Sequence, residues 1–122
     1  MDAYYYLAGN SLVDLSTNGN NATLINAPAF TPAYPKYFSF NGNNQYIYTA
    51  SNQFYNPFPF TIAVWFRTVV STGCKIIGFE NNQFDESSNT FDRHMYVGRN
   101  GYLYFGIFQG FPLTTVISAT PD

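Results

Sequence analysis

Apolar side chains recur at every second position along several stretches of this chain, and this period constrains the fold more than any other feature. The longest example is "PFTIAVWFRT" (59–68), in which every second residue from Phe60 to Phe66 is large and apolar. Successive side chains of a β-strand point to opposite faces, so a period of two indicates strands and argues against helices. The chain is therefore expected to be all-β.

Asn-Gly pairs punctuate the alternating stretches and predict tight turns. Glycine adopts positive φ angles without steric cost and asparagine tolerates them, so the pair suits a chain reversal. The three pairs lie at 18–19, 41–42 and 100–101. "YFSF" (37–40) and "QYIYT" (45–49) flank the second pair, which predicts a hairpin. "HMYVG" (94–98) and "YLYFGIF" (102–108) flank the third pair and predict another hairpin.

Two shorter stretches complete the strand prediction. They are "CKIIGF" (74–79), interpreted as a largely buried strand, and "TTVIS" (114–118), a late strand. Short strands separated by turns at this spacing are typical of an antiparallel sandwich or barrel. Because 122 residues suit one domain, residues 1–122 are interpreted as a single antiparallel β-sandwich.

Charge and hydropathy narrow the classes of function. The formal net charge is −2 with 5 Lys and Arg residues, so no basic stripe is available and nucleic acid is not expected as a partner. No apolar run approaches the roughly 20 residues that span a bilayer, so membrane insertion is not expected. Met1 leads directly into "DAYYYL", so no signal peptide is visible in this sequence.

Aromatic residues make up 20% of the chain, more than the inward face of a sandwich requires. The alternation assigns these rings to the outward face: Tyr46, Tyr48, Trp65, Tyr102, Tyr104 and Phe108. Flat rings stack on the C–H faces of sugars, while Arg or Asn reads hydroxyl groups. The predicted carbohydrate- or partner-binding residues are therefore Trp65, Arg67, Tyr102 and Tyr104. The alternative is that loops or subunits cover these rings, since protein interfaces are also rich in aromatics.

Several segments, taken in order, resemble the laminin-G-like branch of the concanavalin A-like lectin/glucanase superfamily. "AYYYLAGNSLVDLSTNGNNATLIN" resembles the opening of that family, and the matching positions are Asp14, Ser16, Asn18, Gly19, Asn20 and Asn21. "YFSFNGNNQYI" resembles its Phe-Asn-Gly hairpin, and "FTIAVWFRT" resembles its Phe-Thr-Ile strand through Trp65 and Arg67. "KIIGF" and "GYLYFGI" resemble the next two strands, so the similarity spans nearly the whole chain.

The resemblance implies an antiparallel jelly-roll β-sandwich that is incomplete at its C-terminus. Members of the family usually continue, after a segment like "TTVISATPD", into a strand with a Trp-His pair and then further strands. This sequence stops at Asp122. Without those strands the sheets would keep unpaired edges. Either further sequence or a second chain that adds strands by β-augmentation is therefore expected to complete the fold.

Calcium is the candidate cofactor, because related lectin-like domains often hold this ion on a rim loop. Calcium prefers hard oxygen ligands such as carboxylate and carbonyl oxygens. The candidate ligand sets are Asp14 with Asn18 and Asn20, and Asp92 with Asp85 and Glu86. The alternative is that Asp14 and its neighbours make Asx-turns and that the later acidic residues are solvated.

Some members of the superfamily are glycoside hydrolases, whose carboxylates flank the scissile bond from alternating positions of one strand. The nearest candidates here are Glu80, Asp85, Glu86 and Asp92, which lie in a polar loop without that alternation. His94 is the sole histidine and has no Ser or Cys partner nearby in sequence for a nucleophilic triad. The chain is therefore expected not to be an enzyme.

The leading hypothesis is a non-enzymatic, lectin-like module that binds carbohydrate or a glycoprotein surface within a larger extracellular, cell-surface or virion protein. The alternative is a structural subunit of a capsid, fibre or filament, which self-associates through aromatic faces and open sheet edges. Charged residues are only 10% of the chain, and such a surface is poorly suited to a free monomer. That scarcity favours the second hypothesis.

Overall fold

The computed structural model describes residues 5–8, 11–49, 59–69, 73–80, 82, 91–107 and 114–117. Within these ranges the regular structure is ten β-strands without a helix, and every strand pair is antiparallel. Accordingly, this described part contains no helix that could cross a bilayer. The predicted all-β antiparallel class is confirmed, and the separate sheets are consistent with a β-sandwich. The chain divides into two compact units, Met1–Thr61 and Ile62–Asp122.

The first unit contains six short strands that pair as three two-stranded sheets. The strands are β1 (Tyr5–Ala8), β2 (Ser11–Asp14), β3 (Ala22–Ile25), β4 (Ala29–Thr31), β5 (Tyr37–Ser39) and β6 (Tyr46–Thr49). β1 pairs with β2, β3 with β6, and β4 with β5. The β4–β5 pair is thus nested, in sequence, inside the β3–β6 pair. Phe30 and Phe38 lie directly opposite each other in the inner pair, with ring centroids 5.1 Å apart.

The hairpin predicted from "YFSF" and "QYIYT" is wrong, because β5 and β6 pair with earlier strands rather than with each other. Side-chain hydrogen bonds hold the intervening loop against the β3–β4 connection. Gln45 Nε2 donates to the carbonyl oxygens of Asn26 (2.9 Å) and Ala27 (3.1 Å). Asn26 Nδ2 donates to the carbonyl oxygen of Asn44 (2.7 Å). The loop is therefore a corner between two ladders, and local turn chemistry does not decide which strands pair.

The positive φ angle expected at the Asn-Gly pairs is found at the glycine of each pair and not at the asparagine. Gly19 has a φ of 66°, Gly42 of 71° and Gly101 of 80°. These angles lie in the left-handed region, which glycine reaches without a clash between Cβ and the backbone. Each Asn-Gly pair therefore marks a turn. The first lies in a polar loop, the second at a corner between two ladders and the third in a hairpin.

The second unit contains a four-stranded antiparallel sheet in the order β10-β9-β8-β7. Its strands are β7 (Cys74–Glu80), β8 (Phe91–Val97), β9 (Leu103–Ile107) and β10 (Thr114–Ile117). The predicted hairpin around the third Asn-Gly pair is confirmed as β8–β9. Its turn is closed by backbone hydrogen bonds from Gly98 N to the Tyr102 carbonyl (2.8 Å) and from Gly101 N to the Gly98 carbonyl (3.0 Å).

The strand predicted for residues 59–68 is wrong. Residues 59–69 form neither strand nor helix, and none of the described strands pairs with them. A strand needs a neighbour to receive its ladder hydrogen bonds, and the alternating pattern specifies faces without supplying that neighbour. The facing itself is partly preserved, because Phe60 and Ile62 are half-buried while Trp65 is fully exposed.

Two further facing predictions are corrected by the structure. β7 is a strand, as predicted, but it is not largely buried, since Lys75 and Ile77 are exposed. On β6, Tyr46 and Tyr48 are half-buried whereas Ile47 between them is exposed, the reverse of the predicted facing. Burial depends on what packs against each face, and a period of two cannot say which face is covered.

Candidate binding site

One face of the four-stranded sheet carries a row of side chains that runs across all four strands. Lys75 on β7 lies opposite Tyr96 on β8, and Tyr96 lies opposite Tyr104 on β9. Tyr104 in turn lies opposite Ile117 on β10. Side chains directly opposite each other in an antiparallel ladder project from the same face. The sheet therefore brings a cation, two aromatic rings and an aliphatic side chain into one line.

The two tyrosine rings at the centre of this row are stacked. The ring centroids of Tyr96 and Tyr104 are 5.1 Å apart and the ring planes are inclined by 7°. The Tyr104 hydroxyl accepts a hydrogen bond from Asn100 Nδ2 at 2.9 Å, which ties the ring to the hairpin turn. Gly98 leaves room for that ring, since a Cβ at this position would lie 2.5 Å from Tyr104 Cε2. Stacking and the turn together fix the orientation of both rings.

An open groove of about 430 Å³ borders Tyr96 on the β7 side. Its lining residues are Gly73, Cys74, Lys75, His94, Tyr96, Val97, Gly98 and Arg99. Tyr104 stacks on the Tyr96 ring from the β9 side, and Tyr96 lines the groove on the β7 side, where Lys75 lies opposite it. The groove therefore combines an aromatic wall with polar and cationic side chains at its rim.

The charges around the groove are unevenly paired. Lys75 Nζ forms an ion pair with Glu80 Oε1, and His94 Nε2 lies 3.3 Å from the same carboxylate oxygen. A Cβ at Gly78 would lie 2.1 Å from His94 Cδ2, so the His94 ring packs over this glycine. Arg99 is exposed, and the ion pairs found among the described residues do not include it.

The binding residues predicted from the sequence are not all brought together. Tyr102 and Tyr104 lie in the β8–β9 hairpin, and both are half-buried. Trp65 lies on the irregular segment 59–69 and is 102% exposed, so its ring packs against neither tyrosine. Arg67 on the same segment is also exposed. The predicted platform is thus two separate surfaces, and Phe108 lies outside the described residues.

The predicted calcium loop after β2 is organised around a buried carboxylate. Asp14 is 5% exposed and Asn20 is 6% exposed. Asp14 Oδ1 accepts a hydrogen bond from Ser16 N (2.8 Å), and Oδ2 accepts from Ser16 Oγ (2.8 Å) and Asn20 N (2.8 Å). Asn18 N donates to Ser16 Oγ (3.2 Å). N–H and O–H donors thus point at both carboxylate oxygens, which is the Asx-turn arrangement.

A cation at this loop would compete with donors that already occupy the carboxylate, so the geometry fits the Asx-turn better than a calcium site. Calcium binding stays a prediction. It would be supported if calcium raised the Tm and Asp14→Asn removed that rise.

The remaining acidic candidates are engaged or lie outside the described residues. Asp92 Oδ2 forms an ion pair with Arg93 Nη1, and Asp92 Oδ1 accepts from Arg93 N at 2.8 Å. Asp85 and Glu86 fall outside the described ranges. In the described part of the chain no three His, Cys, Asp or Glu side chains form a group that could hold a metal ion. Asp92 is therefore a partner of its neighbour Arg93 in this structure, and its role as a calcium ligand stays a prediction.

Tyr96 is the residue that sequence reasoning missed. It lies in "HMYVG", a stretch in which the sequence pattern predicts one arm of a hairpin and nothing more. The sequence feature that could have identified Tyr96 is the Asn-Gly turn at 100–101, because pairing the two arms of the hairpin about this turn sets Tyr96 opposite Tyr104. Lys75 could not have been found this way, because β7 and β8 are joined by a long segment that specifies no register.

The comparisons with known proteins show a shared fold. No protein-family model matches the chain, and no curated protein matches it. The chain is similar to a 2.1 Å crystal structure of residues 221–444 of an S-layer domain-containing protein from Clostridium thermocellum ATCC 27405. The two are 22% identical with a TM-score of 0.74 over 98% of this chain. This chain spans 58% of the length of that structure.

Proposed function

We propose that the chain is a non-catalytic module of a cell-surface protein that binds saccharide in the groove beside Tyr96. The observation that carries the proposal is the stacked Tyr96–Tyr104 pair, of which Tyr96 lines an open groove. The cell-surface setting is supported by the likeness to an S-layer domain-containing protein. The lectin-like interpretation of the sequence motifs points the same way.

The geometry of the ring pair suits a sugar for a simple physical reason. A pyranose presents an apolar C–H face and a rim of hydroxyl groups, so a site needs one flat apolar surface and a few polar groups. Tyr96 supplies the surface, and Tyr104 holds it rigid by stacking. Lys75 and Arg99 at the groove supply hydrogen-bond donors. A pre-oriented ring also loses little rotamer entropy when the ligand arrives.

Substitution of Tyr96 tests this proposal. Tyr96→Ala should weaken oligosaccharide binding about tenfold, the factor that corresponds to roughly 1.4 kcal/mol, because the flat wall of the groove is lost. Tyr34 is the matched control, since it is 97% exposed in the other unit and Tyr34→Ala removes the same side chain. Isothermal titration calorimetry with a panel of oligosaccharides measures both. Equal affinity in the two variants would reject the proposed site.

The absence of catalysis belongs to this proposal and has its own test. Glu80 is a described acidic residue near the groove, and its carboxylate contacts Lys75 and His94. If the chain only binds saccharide, glucans incubated with it should release no reducing ends above the buffer blank. Hydrolysis that is abolished by Glu80→Gln would replace the binding proposal with an enzymatic one.

A second candidate function, assembly into a surface layer or filament, is favoured by exposed apolar residues elsewhere in the second unit. Trp65 is 102% exposed and Val69 is 89% exposed on the segment 59–69. Val116 and Ile117 on β10 are 64% and 52% exposed. Exposed apolar side chains are candidates for contacts between subunits when they form one patch. Concentration-dependent oligomers without saccharide binding would favour this candidate.

A further inference from the structure

We infer that the groove beside Tyr96 selects acidic saccharides, which carry a carboxylate or sulfate group, over neutral ones, and that Arg99 binds the anionic group. The inference rests on the proposed function, because it names the ligand class of the same groove. The acidic preference depends on the charges of the groove, whereas saccharide binding depends on its aromatic wall. An experiment can therefore reject one of them and leave the other standing.

The first observation is the balance of charge along the groove. Its described lining contains two cations, Lys75 and Arg99, together with His94, and no acidic residue. Glu80 lies behind Lys75 and His94, where one carboxylate oxygen contacts both. Lys75 therefore shares its charge with Glu80, and Arg99 supplies a positive charge that forms no ion pair with the described acidic residues.

The second observation is the placement of Arg99 itself. The residue follows Val97 and Gly98 at the end of β8, and its side chain is exposed. Its Cγ would lie 3.6 Å from a Cβ at Gly73, so the aliphatic stem runs along a glycine that lines the groove. At this distance a Cβ at Gly73 would be in ordinary van der Waals contact with the stem, so the stem lies beside the glycine. The stem of Arg99 thus begins beside the groove that Tyr96 also lines.

The chemistry of a guanidinium then selects the ligand. Its planar fork donates two parallel hydrogen bonds to a carboxylate or sulfate, and such charge-assisted bonds are about twice as strong as neutral ones. A neutral sugar offers the same fork only uncharged hydroxyl oxygens, which accept weaker hydrogen bonds than a carboxylate or sulfate. An acidic sugar that stacks on Tyr96 would place its anionic group towards Arg99 at the rim, so aromatic and ionic contacts would add.

The test compares matched ligands and matched variants of the full chain. The probes are a glucose oligosaccharide, a glucuronic acid oligosaccharide of the same length, and a sulfated glucose oligosaccharide, each titrated by isothermal calorimetry. The acidic probes should bind at least about tenfold more tightly than the neutral one, the ratio expected for one charge-assisted bond. The glucuronate and sulfate arms show which anionic group the site prefers.

The variants distinguish two-bond recognition by the Arg99 guanidinium from a general effect of positive charge. Arg99→Ala should abolish the preference for acidic probes, and Arg99→Lys should restore only part of it, because a lysine keeps the charge but loses the two-bond geometry. Lys36→Ala is the control, since Lys36 is an exposed cation of the other unit. An equal loss in Lys36→Ala and Arg99→Ala would overturn the inference.

The remaining outcomes distinguish the inference from the proposed function. Equal affinity for neutral and acidic probes, sensitive to Tyr96→Ala but not to Arg99→Ala, would overturn the acidic preference and leave saccharide binding standing. No binding of any probe would overturn both. Acidic binding that resists Tyr96→Ala but not Arg99→Ala would keep the anion site and reject the stacking wall.

Discussion

At the scale of single residues, Asp14 shows how a buried charge organises a loop. Asp14 is 5% exposed, and its carboxylate accepts hydrogen bonds from Ser16 N, Ser16 Oγ and Asn20 N. Asp14 N in turn donates to Asn21 Oδ1 (3.0 Å). A buried carboxylate is tolerated only when such donors replace its water. Asp14 is therefore a structural residue of the loop that follows β2.

Replacing Asp14 should destabilise the protein by about 2–3 kcal/mol, the usual contribution of hydrogen bonds to a charged group. Asp14→Ala leaves the Ser16 and Asn20 donors without their acceptor, whereas Ser16→Ala removes only the hydroxyl donor and should cost about 0.5–1.5 kcal/mol. Urea unfolding followed by circular dichroism measures both. If the two variants were equally stable, the carboxylate would not be the centre of the loop.

At the scale of elements, the β8–β9 hairpin is the part of the molecule that presents the candidate site. Cross-strand stacking of Tyr96 on Tyr104 and the hydrogen bond from Asn100 fix the rings, while Gly98 leaves space for Tyr104. A glycine at this position is required by close approach and not by its φ angle. The hairpin thus couples a local turn to the geometry of the site.

Adding a methyl group at Gly98 should displace the Tyr104 ring. Gly98→Ala places Cβ 2.5 Å from Tyr104 Cε2, and such overpacking typically costs about 1–3 kcal/mol. The loss should shrink in a Tyr104→Ala background, where the ring is absent. A double-mutant cycle of unfolding free energies measures this coupling. Additive effects would show that the loss does not come from the Tyr104 ring but from another contact, such as Asn100 Oδ1, which would lie 2.8 Å from the same Cβ.

The segment 59–69 makes a contrasting element, because it has strand-like alternation without a ladder. Backbone amides outside a ladder exchange with solvent far faster than those of a paired strand. Amides of residues 62–67 should therefore exchange well before those of β8, which is paired on both sides. Hydrogen exchange followed by NMR provides the measurement. Protection equal to that of β8 would mean that the segment is a paired strand in solution.

At the scale of the whole molecule, low charge and exposed apolar residues act together. The net charge is −2 at pH 7 and the isoelectric point is about 5.0, so repulsion between molecules is weak and vanishes near pH 5. Trp65 and Val69 are exposed on this weakly charged molecule. Self-association is therefore expected to be governed by these exposed side chains once repulsion is lost.

Light scattering should show the apparent mass rising as the pH falls from 7 towards 5. Trp65→Ser should reduce the rise, because it removes the most exposed aromatic ring among the described residues. Tyr34→Ser, which removes an aromatic ring of nearly equal exposure in the other unit, is the matched control. An equal reduction by both substitutions would indicate general loss of hydrophobicity rather than a contact surface on segment 59–69.

The order of the amino acids was sufficient to predict the all-β class, the positive φ angles at Gly19, Gly42 and Gly101, and the β8–β9 hairpin. These are local properties: a period of two follows from the pleat, and Asn-Gly turn chemistry follows from sterics within a few residues. The alternation over 60–66 predicted burial correctly only in part: Phe60 and Ile62 are half-buried and Trp65 is exposed, but Val64 and Phe66 are exposed as well.

The pairing of strands and the covering of faces became known only from the folded chain. β5 pairs with β4 and β6 with β3, segment 59–69 has no ladder, and Lys75 lies beside Tyr96. Each of these outcomes depends on a partner distant in sequence, on its register and on what packs above it. A pattern that repeats every two residues carries no information about such partners, because every strand presents the same donors and acceptors.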